Sequence, residues 1–275
     1  MKRTTTIVLA AAIAVSMTAC TALDSILGFN LFAGLAAVDE SDIKDANASE
    51  LIDLSSSDSF YDTLADKPEL KAEVLEKIDL GLVSADPLSA DYQELAFLAA
   101  TIELQTTPAG ELVNNVSGLF DSLISGDTPT DDLGLLIEGL LPDSVIASDG
   151  SINEAEFIDM INGLVEADDY FVLLGDSLEP DPDTGEYDYA DGVDFTAGDV
   201  AQAAIVSSLV ASITVPGGYD TTGDYLYALL NDEVPDPDSD SFDVPEFDSP
   251  EFALTPLGKL LLAANLDFSS DDSGI

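Results

Sequence analysis

The sequence predicts an all-α protein, built as an irregular array or bundle of about eight to ten short helices. Two observations support this prediction. Apolar residues recur at spacings of three and four along most of the chain, as they do on the buried face of a helix. Ser, Thr and Asp residues, several of them followed by proline, stand before these apolar stripes, where they are typical of helix starts.

The predicted helices of the first half follow one another through short polar turns. One starts at Ser57, a second at Pro68, and a third at Ser89 or Asp91. We expect the second helix to end at Gly81, since glycine is the usual residue just after a helix. Three further starts are the dipeptides Thr107-Pro108, Thr128-Pro129 and Thr255-Pro256.

The second half carries the most apolar helical pattern. Two successive stripes cover 151–165 and 167–178, the second continuing the first. Residues 196–214 have no charge between Val200 and Val215, which predicts the central buried helix rather than a membrane span, because the run is too short. The acidic excursion 179–195 is predicted to be non-helical with a short hairpin, and the Pro- and Asp-rich stretch 231–250 a disordered acidic loop.

These elements define the domain organisation that we expect. Residues 57–268 form an acidic helical domain, residues 20–56 an N-terminal segment that is either a tether or a first packing helix, and residues 269–275 a frayed tail. The apolar two-helix units resemble tetratricopeptide-type helix pairs in architecture. The Trp, Gly and Tyr positions that identify that repeat are absent, so the resemblance concerns architecture alone.

The first twenty residues have the layout of a secretory signal. Lys2 and Arg3 are followed by an apolar run from Ile7 to Val15, and small residues then lead to Cys20. The end of this segment, Met17-Thr18-Ala19-Cys20, resembles the lipobox of bacterial lipoproteins processed by the type II signal peptidase, with Met17 where Leu is usual. The resemblance implies that residues 1–19 are cleaved and that Cys20 becomes the lipid-carrying N-terminus.

Cys20 is the only cysteine of the chain, so it has no partner for an intramolecular disulfide. Lipidation explains a lone thiol in an exported protein, whereas the alternative is an ordinary signal peptide with a coincidental cysteine. By the same family resemblance, Thr21 is not the Asp that retains lipoproteins in the inner membrane. This favours a protein anchored in the cell envelope, at the outer membrane if the cell has one.

The charge excludes several classes of partner. The formal net charge is −48, and five lysines against 55 acidic residues give −50 once residues 1–19 are removed. Nucleic acid binding requires Lys and Arg to neutralise phosphates, so we expect no nucleic acid partner. Attraction to an anionic lipid surface is excluded for the same reason. The expected partners are the membrane, through the N-terminal lipid, and an envelope protein.

Two interpretations of the acidity remain open at this point. In the first, the protein works in high salt, which screens the repulsion between its carboxylates, and its surface resembles that of proteins from halophilic organisms. In the second, the carboxylates collect divalent cations such as Ca²⁺. The acidic residues are spread along the whole chain, which favours the salt interpretation.

The sharpest internal motif runs from Asp149 to Phe157 and resembles the second half of an EF-hand calcium loop. Asp149, Asn153 and Glu156 are the candidate ligands, together with the carbonyl of Ser151. The first half departs from the family pattern, since Val145 and Ala147 stand where ligands are required. The structural alternative is a turn at Asp149-Gly150 followed by a helix capped by Ser151, with Glu154 completing a capping box.

A second candidate calcium loop lies in the acidic excursion. Asp181 and Asp183 belong to an Asp-x-Asp-x-Gly motif, with further acidic residues up to Asp194. A solvated acidic loop is the alternative. No other cofactor is predicted.

Catalytic chemistry finds little support in the sequence. The chain has no His, its one Cys is assigned to lipid, and no Gly-rich phosphate loop with Lys is present. A carboxylate pair is enough for a hydrolase, but 55 acidic residues make any pair expected by chance. We therefore expect a non-catalytic, lipid-anchored envelope protein whose helical domain serves protein interaction or envelope structure. A Ca²⁺-binding module is the first alternative, and a carboxylate hydrolase the second.

Overall fold

A computed structural model describes residues 38–124, 141–231, 249 and 251–266. It confirms the all-α prediction: the described residues form ten α-helices and two short 3₁₀ helices, with isolated β-bridges but no strands. The α-helices are α1 Glu40–Asp45, α2 Ala48–Leu54, α3 Asp58–Ala65, α4 Pro68–Ser84, α5 Ala90–Gln105, α6 Ala109–Ile124, α7 Glu154–Asp176, α8 Ala197–Ala211, α9 Thr222–Leu230 and α10 Pro256–Ala263. The 3₁₀ helices are Asp143–Val145 and Phe252–Leu254.

The packed part of the chain begins upstream of residue 57, where the sequence placed the domain boundary. Helices α1 and α2 each start with a reciprocal capping box, on Asp39 and Asn47. Ile43 and Leu51 are completely buried in the common core. Residues 38–56 therefore belong to the helical domain, and the tether predicted for 20–56 does not extend through them.

Helix α4 passes through Gly81 and ends only at Ser84, so the predicted stop at Gly81 is wrong. The glycine serves close packing instead. A Cβ at this position would lie 2.9 Å from the Ala48 Cβ and 2.9 Å from the Leu95 Cδ1. Gly81 thus allows α2 and α5 to approach α4, a tertiary role that its sequence neighbours do not reveal.

Helix α7 is the centre of the fold. It is 23 residues long and contacts α5, α8, α9 and α10, burying nine of its residues, including Phe157, Leu164 and Phe171. The prediction that the 196–214 segment forms the central helix is wrong, because α8 buries only one face, with Val200 and Ala204 against the core. Low charge in a sequence segment does not by itself identify the helix with the most neighbours.

Several predicted helix starts are confirmed with the expected capping. The side chains of Ser89, Thr196 and Thr255 each accept a hydrogen bond from the backbone N–H three residues later. At Thr107-Pro108, α6 begins with Ala109, whose N–H donates to the Thr107 Oγ1. These starts were predictable because a cap depends on residues adjacent in sequence.

The acidic excursion 179–195 is non-helical, as predicted, and contains one isolated antiparallel bridge between Pro180 and Tyr187. It is tied to the core by aromatic side chains. Phe195 packs 4.6 Å from Phe97 and 5.1 Å from Tyr189, measured between ring centroids. The predicted helix after Thr128-Pro129, nearly all of the loop 231–250, the signal segment and the tail 269–275 lie outside the described residues. Among the helices that are described, none is long and apolar enough to cross a membrane.

Candidate functional site

The first predicted calcium loop folds as a tight turn in which the Asp149 carboxylate accepts hydrogen bonds from Ser151. Asp149 accepts hydrogen bonds on Oδ1 from the Ser151 N–H (3.0 Å) and the Ser151 hydroxyl (2.6 Å). These bonds, from the Ser151 hydroxyl first, lower the pKa of Asp149. Gly150 has a φ of 83°, and the Ala147 N–H donates to the Ser151 carbonyl at 2.7 Å.

The helix after this turn starts differently from either sequence interpretation. Asn153, not Ser151, is the N-cap residue of α7, and its side chain makes no capping hydrogen bond. The capping box predicted for Ser151 and Glu154 is therefore wrong, because the Ser151 hydroxyl is directed to Asp149. Glu156 lies in the first turn of α7.

In the second predicted loop, the Asp181 carboxylate also accepts hydrogen bonds from backbone groups of its own loop. The Asp181 Oδ1 accepts hydrogen bonds from the N–H groups of Asp183 (2.8 Å) and Thr184 (2.9 Å). The backbone bond from Thr184, followed by that from Asp183, lowers the pKa of Asp181. The Asp181 N–H donates to the Glu186 carbonyl, and Gly185, with a φ of 78°, completes the turn.

The two loops flank α7 and lie at opposite ends of it. A helix of 23 residues is about 34 Å long at 1.5 Å per residue. Asp149 and Asn153 precede this helix and Asp181 and Asp183 follow it, so the two sets cannot share one ion. Within the part of the chain that the structure describes, no group of three or more His, Cys, Asp or Glu side chains is arranged to hold a metal ion.

A different group of charged residues does converge, between α4, α5 and α7. We call it the Glu103 seam, and it consists of Lys71, Glu103, Asp159, Glu166 and Tyr170. The Lys71 Nζ lies 2.6 Å from the Glu103 Oε2, with side-chain exposures of 18% and 5%. The contact is a short ion pair between two largely buried side chains.

The electrostatics of the seam are dominated by burial. Burial raises the pKa of Glu103 to about 7; Lys71 opposes this effect and the neighbouring Glu166 carboxylate adds to it. Burial likewise raises the pKa of Asp159, again against the attraction of Lys71. A carboxyl group that keeps its proton near neutral pH has the property required of a general acid. The Glu103 side chain is nevertheless almost completely buried. The group therefore links three helices and does not present a reactive oxygen at the surface.

The sequence contains a signal for this seam that went unrecognised. Asp159, Gly163, Glu166 and Tyr170 follow the spacing of one helical face, and three of the four carry an ionisable side chain. A Cβ on Gly163 would lie 3.1 Å from the Glu103 carbonyl, which places this face against α5. The partners Lys71 and Glu103 come from separate helices, so only the tertiary structure brings the group together.

Four of the five lysines of the predicted mature chain are engaged within the fold. Lys71 pairs with Glu103, and both Lys44 and Lys67 pair with Glu40. The Lys77 Nζ donates to the carbonyls of Lys44 (2.6 Å) and Ala46 (3.2 Å) at the end of α1. Lys67, Lys71 and Lys77 thereby connect different helices, whereas the Lys44 pair lies within α1.

Three exposed apolar side chains lie close together in sequence and form what we call the α4 patch. Leu80 and Val83 are 63% and 87% exposed on the last turns of α4, and Leu88 is 50% exposed in the turn that follows. The exposed carboxylates of Glu76, Asp79 and Asp86 are their sequence neighbours. An apolar group of this kind on a highly charged surface is a candidate contact surface.

A shallow cleft of about 260 Å³ lies where the acidic excursion meets the end of α10. Its lining includes Glu186, Tyr187, Asp188, Leu262 and Asn265. This volume is below the roughly 300–1,000 Å³ of typical small-molecule sites.

Comparison of the chain with models of protein families, with curated proteins and with solved structures finds no match.

Proposed function

We propose that this protein is a lipid-anchored lipoprotein of the cell envelope whose acidic helical domain acts without catalysis, by binding a partner protein or supporting an envelope assembly. The observation that carries the proposal is the segment Met17-Thr18-Ala19-Cys20. It follows a basic and then apolar start and holds the only cysteine of the chain. The outer membrane is the proposed location where the cell has one.

The arrangement of charge supports a domain adapted to high salt. Lys67, Lys71 and Lys77 each contact a residue of another helix, whereas Lys44 pairs with Glu40 within α1, so three of the cations in this acidic chain link helices. The Oδ1 atoms of Asp149 and Asp181 each accept two hydrogen bonds from their own loops. Repulsion among the remaining carboxylates falls when salt shortens the screening length to about 3 Å at 1 M.

The packing of the domain supports a scaffold or binding role. Helices α5, α8, α9 and α10 contact α7, and the buried apolar side chains form one connected core. The α4 patch adds exposed apolar side chains, which are typical of surfaces that contact other polypeptides.

The direct test is affinity capture from detergent-solubilised envelopes after chemical crosslinking in intact cells. The tagged wild-type protein is compared with Cys20→Ser, which should be absent from the envelope fraction. We expect the wild type to recover the same envelope protein repeatedly and Cys20→Ser to lose it. Repeated recovery of the lipoprotein alone would count against a partner-binding role.

A further inference from the structure

Polar side chains of the Glu103 seam join α4 to α5 and α7. Helix α4 packs closely on α5, whereas it has few close backbone contacts with α7. The Tyr170 hydroxyl of α7 donates to the Asp79 Oδ1 of α4 at 3.2 Å. Two turns earlier in α4, the Lys71 Nζ lies 2.6 Å from the Oε2 of the buried Glu103 side chain on α5. The seam therefore contacts α4 at two points, about 12 Å apart along the helix.

The seam holds more carboxyl groups than cations. Lys71 is its one ammonium group, and the Asp159 carboxyl of α7 is close enough to be affected by the Lys71 charge. The Glu166 carboxylate, also on α7, lies within hydrogen-bonding reach of Glu103. Two carboxyl groups in such contact tend to hold a proton, because like charges repel strongly where water is scarce. With a proton on Glu103, one ammonium group faces two carboxylates; without that proton, it faces three.

The other charged groups of the surrounding helices are exposed or bound elsewhere. Asp168 of α7 accepts a hydrogen bond from the Ser208 hydroxyl of α8. Helices α2, α3, α4 and α6 all pack on α5. Their described acidic side chains are exposed, namely Glu50, Asp53, Asp62, Glu69, Glu73, Glu76, Asp79 and Glu111. The charged groups that act most directly on Glu103 are therefore Lys71 and Glu166.

A response near neutral pH requires a group whose pKa is shifted by its surroundings, since the chain has no histidine. Burial raises the pKa of Glu103 to about 7, which meets this requirement. A carboxylate formed at such a buried site loses much of its hydration, and one ammonium group cannot compensate three carboxylates. Water reaches Glu103 if α4 moves away, so loss of the proton favours an opened arrangement of this helix.

We propose that the Glu103 seam is a proton-dependent joint, in which loss of the Glu103 proton allows α4 to open locally while the core around α7 stays folded. This inference goes beyond the proposed function, because it holds whether or not Cys20 carries lipid. The α4 patch lies on the helix that moves, so the position of the patch becomes dependent on pH.

Native-state hydrogen exchange of the full chain, purified in detergent micelles with 1 M NaCl, tests this proposal. Peptides from α4 and α7 are followed by mass spectrometry at pH 6 and pH 8, at several urea concentrations below the unfolding transition. We expect amides of α4 to exchange through a local opening that urea hardly accelerates. After correction for the intrinsic pH dependence of exchange, the equilibrium constant of this opening should increase about tenfold between the two pH values, because the pKa of Glu103 falls from about 7 towards its ordinary 4.5 when α4 opens.

Three variants assign the pH dependence to the seam. Glu103→Gln has no proton to lose, so opening of α4 should be the same at both pH values. Glu76→Gln removes an exposed carboxylate from α4 and is the matched control, which should keep the tenfold change. Glu166→Gln removes the carboxylate that helps Glu103 to hold its proton, so its change should be smaller than that of the wild type. This last variant decides the question if Glu103→Gln does not fold.

Three results would overturn the proposal. Equal opening of α4 at pH 6 and pH 8 in the wild type would show that no proton controls the helix. Exchange of α4 with the same urea dependence as the slowest amides of α7 would show that α4 opens only when the whole domain unfolds. A wild-type change in Glu166→Gln, or in a folded Glu103→Gln, would assign the pH dependence to a group outside the seam.

Discussion

At the scale of single residues, Glu103 shows how burial sets the charge of a group. Its folded-state pKa of about 7 lies above the ordinary value of 4.5, so the folded protein keeps a proton that the unfolded chain releases. The stability contributed by this proton is present below pH 4.5. It is lost as pH rises from about 4.5 to 7, by up to about 3 kcal/mol.

We predict that Glu103→Gln removes this part of the pH dependence. Between pH 5 and pH 8, the free energy of unfolding should fall less in the variant than in the wild type. Urea denaturation at the two pH values in 1 M salt measures the difference. Glu76→Gln, which removes an exposed carboxylate from α4, is the matched control and should keep the wild-type slope. If the free energy of unfolding of Glu103→Gln also falls as much as that of the wild type between pH 5 and pH 8, Glu103 does not hold the buried proton.

Lys77 and Lys44 provide a second test at this scale. Lys77→Met removes charged hydrogen bonds to the carbonyls of Lys44 and Ala46, at 2.6 and 3.2 Å, while the methionine retains the apolar stem. We expect the free energy of unfolding to fall by about 1.5–3 kcal/mol. Lys44→Met loses only an exposed pair with Glu40 and should change stability little. Equal effects in urea denaturation would contradict this assignment.

At the scale of helices, the contact between α7 and α10 depends on a glycine. A Cβ on Gly175 would lie 2.4 Å from the Pro256 carbonyl oxygen and 2.7 Å from the Pro256 Cα. Both atoms are backbone and cannot rotate away. We therefore predict that Gly175→Ala destabilises the fold by about 1–3 kcal/mol, although alanine favours a helix more than glycine does.

Gly217→Ala is the control for this prediction, since a Cβ there meets nothing within 4 Å. Its effect should remain within about 0.5 kcal/mol. Thermal unfolding followed by circular dichroism compares the two variants at one pH and salt concentration. A wild-type transition in Gly175→Ala would show that the two helices are less closely packed than described.

The same scale shows what the sequence could predict. The all-α class and the starts at Ser89, Thr196 and Thr255 depend on periodicity and on caps within three residues, so they were predictable. Contacts between helices were not. From the sequence alone, Gly81 was predicted to end its helix. Its actual role is close packing against Ala48 and Leu95, which belong to other helices and are not its sequence neighbours.

The same distinction between local features and contacts between helices applies to the candidate site. The calcium-loop motif at Asp149 was predicted from local spacing, and the structure shows a turn in which the Asp149 Oδ1 accepts two hydrogen bonds from Ser151. The Glu103 seam was missed because Lys71, Glu103 and Glu166 lie far apart in sequence. Calcium binding at Asp149, Asn153, Glu156, Asp181 and Asp183 stays a prediction.

At the scale of the whole molecule, the net charge of −48 should control stability through salt. We predict that the midpoint of thermal unfolding rises steadily as NaCl increases from 0.1 to about 3 M, because screening removes carboxylate repulsion. CaCl₂ is compared with NaCl at matched ionic strength. Stabilisation by millimolar CaCl₂ without any effect of molar NaCl would instead support the calcium-binding alternative.

The charge of the whole domain bears on the proposed anchor. Anionic lipid headgroups repel a body with so many carboxylates, so we expect the proposed attachment to come from acyl chains, which contribute about 0.8 kcal/mol per buried CH₂. The proposed attachment therefore depends on one atom, the sulfur of Cys20.

The most direct measurement is metabolic labelling of the producing cells with a fatty acid, followed by mass spectrometry of the mature N-terminus. We predict that the wild-type protein incorporates the label and begins at Cys20 with acyl chains attached. Cys20→Ser should remain unlabelled and unprocessed at this position. A mature protein that begins elsewhere, or a wild type with an unmodified Cys20, would contradict the central claim.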